Sequence, residues 1–271
     1  MVNDRYKHGG YTYFEVNDSK RREVAVAPVC DRVVHRLLYE YILPRWDQAF
    51  IFDAWSCRKN KGQHLAIARA ASFMDRYNNA WLWRADIHKF FDTVDQALLL
   101  EFVSRRIKCQ KTLGLIREVL ISYYKNEPGK GMPIGNLTSQ IFANIYLNEF
   151  DRHMVHVLKP HAYLRYGDDW LCFSDNLDRL EIIQGESTRY IVDVLQLKLS
   201  QKLDFIVPVY KGTTYLGIDL WPNGRRITKK TRGRISYKVK PENYSSYQAF
   251  IKQFSSQRHI KQFYWQTLDL D

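Results

Sequence analysis

The amino-acid sequence predicts an α+β fold in which an antiparallel sheet carries helices on one face. Short apolar segments of strand length alternate with longer segments whose apolar residues recur at helical spacing. Two of the short segments, 162–166 and 169–173, flank a Gly-Asp pair, which is the pattern of a tight hairpin. Before that hairpin, residues 137–150 form a helical segment with a broad apolar face. Mixed elements in this order are typical of a sheet backed by helices.

The first eighty residues are predicted to contain one strand and two helices. Residues 24–28 have the pattern of a short strand that a proline ends. Asp31 is expected to cap the first helix, and residues 63–78 to form the second. The apolar face of the first helix is expected to hold Val33, Val34, Leu37, Leu38 and Tyr41. Ahead of the strand, residues 1–23 are polar and end in the basic run Lys20, Arg21 and Arg22.

The middle of the chain predicts a buried strand at 81–87, followed by helices and a loop. Thr93 to Gln96 have a capping-box pattern that opens a helix through Phe102 and Ile107. A further helix is expected at 115–124 and a glycine-rich loop at 128–135.

The hairpin is expected to turn at Gly167, since glycine readily supplies the positive φ of a tight turn. After it, the sequence predicts a helix at 186–199, a strand at 215–220 and a last helical stretch at about 244–264. Residues 225–240 hold eight Lys or Arg and no acidic residue.

The charge of the chain favours a polyanionic partner. The net charge is +12, and cationic side chains bind nucleic acids by releasing counterions from phosphates; a merely solvated basic surface is the alternative. The cysteines lie far apart, which argues against a zinc site or a disulfide framework and fits a reducing, cytoplasmic setting. They are Cys30, Cys57, Cys109 and Cys172. No segment is long and apolar enough to predict a membrane span.

Three acidic residues are candidates for metal chemistry. Asp168 and Asp169 are adjacent at the tip of the predicted hairpin, and Asp86 ends an apolar strand. Carboxylates next to apolar residues cost stability unless a cation neutralises them. Hard oxygen ligands suit Mg²⁺, and two such ions can activate a 3′-hydroxyl and stabilise a leaving pyrophosphate. A solvated Gly-Asp-Asp turn and an ordinary strand-end acid are the alternatives for these residues taken singly.

Taken together, the motifs resemble those of reverse transcriptases. Residues 166–169, Tyr-Gly-Asp-Asp, resemble the family's YxDD box, and residues 86–92 resemble its first palm motif, an aspartate followed five residues later by an aromatic. Residues 131–147 resemble the loop-and-helix motif that lies between them. The other motifs, in the family's order, are the two fingers motifs at 28–34 and 56–62, the lysine motif at 199–202 and the primer-grip strand at 215–217.

One variation points to a subgroup. Most retroviral and group II intron enzymes carry Pro-Gln-Gly in the loop and Ser-Pro at the helix start, whereas this chain has Pro133-Ile134-Gly135 and Ser139-Gln140. This variant looks like the prokaryotic reverse transcriptases of diversity-generating retroelements, which mutagenise target genes by error-prone copying.

The resemblance implies a right-hand polymerase with fingers, a palm and a short helical thumb. The expected boundaries are 1–80 for the first part of the fingers, 81–220 for the palm with an inserted fingers segment at about 108–135, and 221–271 for the thumb.

The resemblance also implies roles for residues at matching positions. Two Mg²⁺ ions, with Mn²⁺ as a substitute, would be held by Asp86, Ile87, Asp168 and Asp169. Lys202 would protonate the leaving pyrophosphate, or else be a solvated lysine. Phe91 would exclude a ribose 2′-hydroxyl, or else be core packing. Further substrate contacts are expected from Ile134, Gly135, Gln140, Arg32, Arg58 and Lys61, and nucleic-acid contacts from Tyr215, Leu216, Gly217, Lys229, Lys230 and Arg232.

Three functions follow as hypotheses. The first is an error-prone RNA-directed DNA polymerase of a diversity-generating retroelement, which takes an RNA template, a DNA or RNA primer and deoxynucleoside triphosphates, with room for a basic accessory protein. The second is a defence-associated or domesticated reverse transcriptase of another prokaryotic class. The third is a catalytically inactive palm that only binds nucleic acid, which the intact set of three aspartates disfavours.

Overall fold

The N-terminal part of the chain forms a β-hairpin and two helices. The computed structural model describes residues 6–17, 21–255 and 257–267, and Lys20 of the basic run lies outside these ranges. The elements are β1 (Thr12–Asn17), β2 (Arg21–Val26), α1 (Val29–Trp46) and α2 (Gln63–Arg76). β1 and β2 pair antiparallel, with Thr12 opposite Val26. The predicted strand at 24–28 therefore overlaps the second strand of a hairpin. The first strand was not predicted, and its Tyr13, Phe14 and Val16 are exposed.

The central part supplies the main sheet and the helices that cover it. Its first elements are β3 (Trp81–Asp86), α3 (Phe90–Thr93), α4 (Gln96–Ser104), α5 (Gln110–Ile121) and α6 (Leu137–Arg152). They are followed by β4 (Ala162–Tyr166), β5 (Asp169–Ser174), α7 (Leu177–Asp193) and β6 (Phe205–Pro208). α6 continues into a π-helical segment, His153–Leu158.

Four antiparallel strands make this sheet in the order β4-β5-β3-β6. Helices cover both of its faces, so the expectation of helices on one face only is wrong. Trp83, Trp170 and Cys172 pack with α6 and α7 in one core, whereas Leu82, Leu171 and Phe173 pack with α2 in another. Because both faces are buried, the strands are apolar at nearly every position instead of alternating.

The C-terminal part begins with a small sheet and ends in helices. Its elements are β7 (Thr213–Tyr215), β8 (Ile218–Trp221), β9 (Gly224–Ile227), α8 (Lys229–Lys238), α9 (Tyr244–Phe254) and α10 (Gln257–Gln266). Three-residue 3₁₀ turns lie at Asp47–Ala49, Val209–Lys211 and Pro241–Asn243. β7, β8 and β9 form an antiparallel meander, and their buried residues join the core that contains α2.

Several predicted boundaries were wrong. The strand expected at 215–220 is interrupted by a turn at Leu216 and Gly217, which separates β7 from β8. The stretch at 244–264 is two helices, and the helix expected at 186–199 runs from Leu177 to Asp193. The cap of α4 is Asp95, whose side chain accepts a hydrogen bond from the Leu98 amide, instead of Thr93.

Candidate active site

A cleft of about 760 Å³ lies where the edge of the main sheet meets the β1–β2 hairpin. Carboxylates, cations and apolar side chains all line it. The lining includes Asp86, Ile87, Phe91, Ile134, Asp168 and Lys202, together with Arg21 and Arg22. Six residues that the sequence singled out, separated by more than one hundred positions along the chain, therefore share one cavity.

Strand pairing brings the acidic residues together. β3 and β5 run antiparallel with Asp86 opposite Asp169, and the Ile87 amide donates to the Asp168 carbonyl over 3.2 Å. Gly167 has φ 65° at the turn between β4 and β5, as the hairpin pattern predicted. The end of β3 and the tip of the hairpin thus lie side by side at one edge of the sheet.

The two adjacent aspartates have different surroundings. Asp168 lines the cleft. The Asp169 carboxylate instead accepts hydrogen bonds from Arg84, at 2.8 Å from Nη2 and 3.3 Å from Nε. The Tyr215 hydroxyl donates to the Asp169 carbonyl over 3.4 Å. Asp168 lies in the turn before β5, whereas Asp169 is the first residue of β5 and is paired with the end of β3.

Phe91 lies in the wall of the cleft, next to the acidic residues. The chain turns sharply at Lys89, which has φ 47°, and the short helix α3 follows. Phe90 is buried in the core, whereas Phe91 is only partly buried. The Met132 amide donates to the Phe91 carbonyl over 2.7 Å, so the loop before α6 fixes the backbone of this residue.

The loop at 133–135 is attached to the β1–β2 hairpin. The Ala25 amide donates to the Ile134 carbonyl over 3.1 Å, and the Asn136 side chain donates to the Ala25 carbonyl over 2.8 Å. Gly135 has φ 105°, and a Cβ there would stand 2.6 Å from the Val24 side chain. Glycine is therefore required at 135 by backbone conformation and by space. Ile134 faces the cleft, whereas Gly135 and Gln140 are exposed and are not among its lining residues.

Lys202 reaches the cleft because the segment before it is bonded to the end of β3. The His88 amide donates to the Lys198 carbonyl, and the Ser200 amide donates to the Asp86 carbonyl, each over 2.8 Å. These bonds place Lys198 and Lys202 in the wall of the cavity that contains Asp86 and Asp168.

The arginines that line the cleft are not the ones expected to bind the triphosphate. Arg21 and Arg22, on β2, are lining residues. Arg58 is not, because its guanidinium binds the Asp47 carboxylate and the carbonyls of Ile51 and Ala54. The basic run that contains Arg21 and Arg22 was visible in the sequence, but it was given no role in the site.

The other two expected cations also lie elsewhere. Lys61 donates to the Phe52 carbonyl over 2.7 Å and lies over the Phe52 ring. Arg32 is exposed on α1, outside the lining of the cleft. None of Arg32, Arg58 and Lys61 is thus among the lining residues of this cleft.

The expected nucleic-acid contacts lie in the C-terminal part. Tyr215 is fully buried, and Leu216 and Gly217 form the β7–β8 turn with φ 49° and 83°. The Gln63 side chain donates to the Leu216 carbonyl over 3.0 Å. A Cβ at Gly217 would stand 2.8 Å from the Thr231 hydroxyl, so α8 packs closely on this turn.

The basic residues of α8 line a separate surface. Lys229 and Lys230 are exposed, and Arg232 lies 2.5 Å from the His259 side chain. A cavity of about 310 Å³ between α8 and the last two helices has Lys229, Arg232 and His259 in its wall. Burial, followed by the nearby arginines, lowers the pKa of His259.

The donors at the cleft are oxygens, which is what a hard divalent cation requires. Asp86 and Asp168 offer carboxylates, and Ile87 offers a backbone carbonyl in the same cavity. Among the described residues, no group of three His, Cys, Asp or Glu side chains is arranged to hold a metal by itself. A cation here would need water or substrate oxygens to complete its shell, as Mg²⁺ commonly does.

No helix in the described ranges has the length and apolar character of a membrane span.

Comparison with known proteins gives a consistent relationship. The family model described as "Reverse transcriptase (RNA-dependent DNA polymerase)" matches residues 7–220. Protein YkfC of Escherichia coli strain K12 is 24% identical over 260 residues, which cover 81% of this chain and 67% of that protein. The group II intron-encoded protein LtrA of Lactococcus lactis is 24% identical over 145 residues, or 51% of this chain and 24% of LtrA.

Solved structures show the same fold at low identity. Apo telomerase from Candida tropicalis superposes with a TM-score of 0.63 at 10% identity, over 100% of this chain and 58% of that one. Telomerase from Candida albicans, in complex with a fragment of telomeric RNA, gives 0.63 at 9% identity, over 100% of this chain and 56% of that one. The chain thus spans little more than half of each telomerase. These superpositions confirm the right-hand polymerase fold.

The family model matches most of the chain. The matched residues include Asp86, the loop at 133–135, Asp168 and Asp169. The chain therefore belongs to the reverse transcriptase family, whose members are RNA-dependent DNA polymerases.

Proposed function

We propose that this protein extends a DNA or RNA primer along an RNA template, using deoxynucleoside triphosphates. The observation that carries the proposal is the single cleft shared by Asp86, Asp168, Phe91 and Lys202. It combines acidic oxygens, a bulky ring and cations, which are the groups that nucleotidyl transfer requires. The third hypothesis, an inactive nucleic-acid-binding palm, gives no role to the meeting of Asp86 and Asp168 with Phe91 and Lys202 in one cavity.

Within this proposal, each group in the cleft has a task. Asp86, Asp168 and the Ile87 carbonyl would hold two Mg²⁺ ions, for which Mn²⁺ could substitute. Asp169, whose carboxylate is paired with Arg84, would lie beside them. When bound, the ions would supply Lewis acidity at the attacking hydroxyl and at the leaving pyrophosphate. Lys202 would donate a proton to the pyrophosphate.

The proposal also assigns the triphosphate to Arg21 and Arg22. Both belong to β2 and line the cavity that contains Asp86 and Asp168, and arginine can bind phosphate oxygens with two parallel hydrogen bonds. These two residues take the place that the sequence had assigned to Arg32, Arg58 and Lys61. Gly135 then acts by bringing the loop close to β2, so that Ile134 faces the incoming nucleotide.

We also propose the domain limits already given, with fingers at 1–80, palm at 81–220 including a fingers insertion at about 108–135, and thumb at 221–271. The β7–β8 turn at 215–217 would grip the primer. Lys229, Lys230 and Arg232 would hold the backbone of the template–primer duplex. Because this surface is basic, charge complementarity favours an RNA or another acidic ligand over the basic accessory protein considered above.

Primer extension tests the activity directly. The purified protein, Mg²⁺ and deoxynucleotides are incubated with a labelled primer annealed to an RNA template, and in parallel to a DNA template of the same sequence. The proposal predicts full-length product on RNA that requires a divalent cation. Binding of both duplexes without extension, at any Mg²⁺ or Mn²⁺ concentration, would instead favour the inactive palm.

Ile134 supports the finer proposal of error-prone copying in a diversity-generating retroelement. The related enzymes carry a glutamine at this place, and an amide can donate and accept hydrogen bonds that fix a nascent base pair. Isoleucine can do neither, and its branched side chain is partly exposed in the cleft. One lost hydrogen bond is worth about 0.5–1.5 kcal/mol, or several-fold in error rate.

The predicted outcome is that Ile134→Gln lowers the misincorporation frequency several-fold. The measurement is errors per template base on one RNA, for the wild type, Ile134→Gln and the apolar control Ile134→Val, which should stay error-prone. If the glutamine variant is no more accurate than the valine control, Ile134 is not the source of infidelity. The defence-associated or domesticated class would then be preferred, and a template/variable repeat pair among neighbouring genes would decide between the two.

A further inference from the structure

A buried ion pair lies directly behind the acidic hairpin. Arg165 on β4 and Asp151 on α6 are 1% and 0% exposed. The Arg165 Nε donates to Asp151 Oδ1 over 2.7 Å and its Nη2 to Oδ2 over 2.5 Å. The Tyr163 hydroxyl donates to the same carboxylate over 2.8 Å, and burial raises the pKa of Tyr163, so this hydroxyl stays a donor. The carboxylate is thus fully paired.

Stability alone does not account for this arrangement. Removing two charges from water costs several kcal/mol per ion, and an apolar pair of similar volume is often as stable or more so. A buried ion pair therefore needs a further explanation, and the fixed geometry of the guanidinium offers one, since its five donors lie in one plane.

The third nitrogen of Arg165 reaches the catalytic turn. Its Nη1 donates to the Gly167 carbonyl over 2.7 Å and lies 3.4 Å from the Asn144 side-chain oxygen. Gly167 is the residue with positive φ that immediately precedes Asp168. A two-residue turn has few bonds of its own, so this contact fixes the peptide plane from which Asp168 projects.

The same residue also fixes the segment that faces the turn. The Arg165 amide donates to the Asp53 carbonyl and the Trp55 amide donates to the Arg165 carbonyl, each over 2.9 Å. The Asn144 side chain donates to the Ser56 carbonyl over 2.9 Å. One arginine therefore joins the long helix, the acidic turn and the N-terminal part of the chain.

We propose that Arg165, anchored by Asp151, is a positioning residue for nucleotidyl transfer, which holds the Gly167–Asp168 peptide so that the Asp168 carboxylate faces the cleft. It touches neither substrate nor reacting atoms. The proposal rests on the polymerase function proposed above for its kinetic readout, but its structural readout is independent of that function.

Two variants remove the contact with the turn in different ways. Arg165→Lys keeps a charge beside Asp151, but a lysine is a point donor that cannot span both the carboxylate and the turn. The double variant Arg165→Met with Asp151→Asn removes both charges and leaves an acceptor for Tyr163, so no buried charge is left unpaired. The matched control is Arg105→Lys, which disturbs an arginine that also binds carboxylates with two of its nitrogens, but whose partners, Glu101 and Glu149, lie outside the acidic turn.

Two readouts are measured on each variant that melts cooperatively. The first is deuterium uptake of the peptide that contains 166–170, and the second is kcat and KM for deoxynucleotide on an RNA template. A misplacement of about 1 Å can cost on the order of 10²-fold in rate. The expected result is faster exchange at the turn and a kcat lowered on that order in both Arg165 variants, with KM for nucleotide unchanged. Arg105→Lys should leave both readouts at the wild-type level.

Unchanged exchange at the turn and unchanged kcat in either folded Arg165 variant would overturn the proposal and make the pair a packing feature. An equal loss of kcat in Arg105→Lys would also overturn it, because the effect would then be general. If the wild type itself extends no primer, the polymerase function fails, and the exchange rates alone still decide whether Arg165 holds the turn.

Discussion

At the scale of single residues, the site depends on which side of a strand or loop each side chain occupies. Phe90 and Phe91 are neighbours, yet the first lies in the core and the second in the cleft. Asp168 and Asp169 differ in the same way, with Asp169 held by Arg84. The motif resemblance predicted Phe91 and Asp168 as site residues, and the fold shows that these two line the cleft.

Phe91 gives a prediction about sugar selection. If its ring occupies the space that a 2′-hydroxyl would need, Phe91→Ala should admit ribonucleotides. Selectivity set by pocket shape is typically worth about 1–3 kcal/mol, or roughly 10–200-fold. The measurement is the ratio of kcat/KM for ribo- and deoxynucleotides, with Phe91→Tyr as the control that keeps the ring. An unchanged ratio in the alanine variant would make Phe91 a packing residue.

Arg22 gives a prediction about nucleotide binding. A charge-assisted hydrogen bond is worth about 1.5–3 kcal/mol, so Arg22→Ala should raise the KM for deoxynucleotides roughly tenfold or more. Affinity for the template–primer duplex should change little. Arg36→Ala, which removes an exposed cation paired with Glu40 on α1, is the control. Equal effects of the two substitutions would assign Arg22 to the general positive field of the protein.

At the scale of elements, α1 shows why helical periodicity alone misplaced a face. Val33 and Leu37 were expected inside, yet they are 55% and 59% exposed. Asp31 and His35 are buried instead, because Asp31 accepts hydrogen bonds from the Tyr6 hydroxyl and the Gly9 amide. Asp31 therefore does not cap the helix. The polar partners come from a segment more than twenty residues away, which no local pattern reveals.

The strongly apolar elements were predicted well for the opposite reason. β3, β5 and α6 are buried on all or most of their surface. The two strands are therefore mostly apolar and α6 has a broad apolar face, so the signal is strong. The turn at Gly167 was also predicted, because a positive φ restricts the choice of residue. The β7–β8 hairpin was missed because its turn begins with Leu216, whose φ of 49° is rare for leucine.

The helix α8 gives a prediction about backbone binding. If Lys229, Lys230 and Arg232 contact phosphates, replacing all three with alanine should weaken template–primer binding equally for all sequences. It should also flatten the dependence of log K on log salt by up to about one unit per lost contact. The measurement is affinity at a series of salt concentrations.

A control for this variant removes the same charge elsewhere. Arg152, Lys159 and Arg189 are exposed cations on or near α6 and α7. Their replacement with alanine should alter the salt slope less than the α8 variant does. If both triple variants give the wild-type slope, the basic run of α8 is a solvated surface.

At the scale of the whole molecule, the main sheet separates two cores and presents its acids at one edge. One core joins the sheet to α6 and α7, and the other joins it to α2, the small sheet and the C-terminal helices. Strand register fixes the acids relative to each other, while the loop before α6 and the β1–β2 hairpin close the cleft around them. The order of the motifs along the chain predicted this assembly, but not that the hairpin would supply the cations.

The central claim is that acids at the sheet edge carry out nucleotidyl transfer on a bound template and primer. The most direct measurement is RNA-templated primer extension by Asp168→Asn, compared with duplex affinity of the same variant. Asp175→Asn, which changes an exposed acid just after β5, is the matched control. The account predicts no detectable extension by Asp168→Asn at unchanged duplex affinity, and wild-type extension by Asp175→Asn. Near-normal synthesis by Asp168→Asn would contradict it.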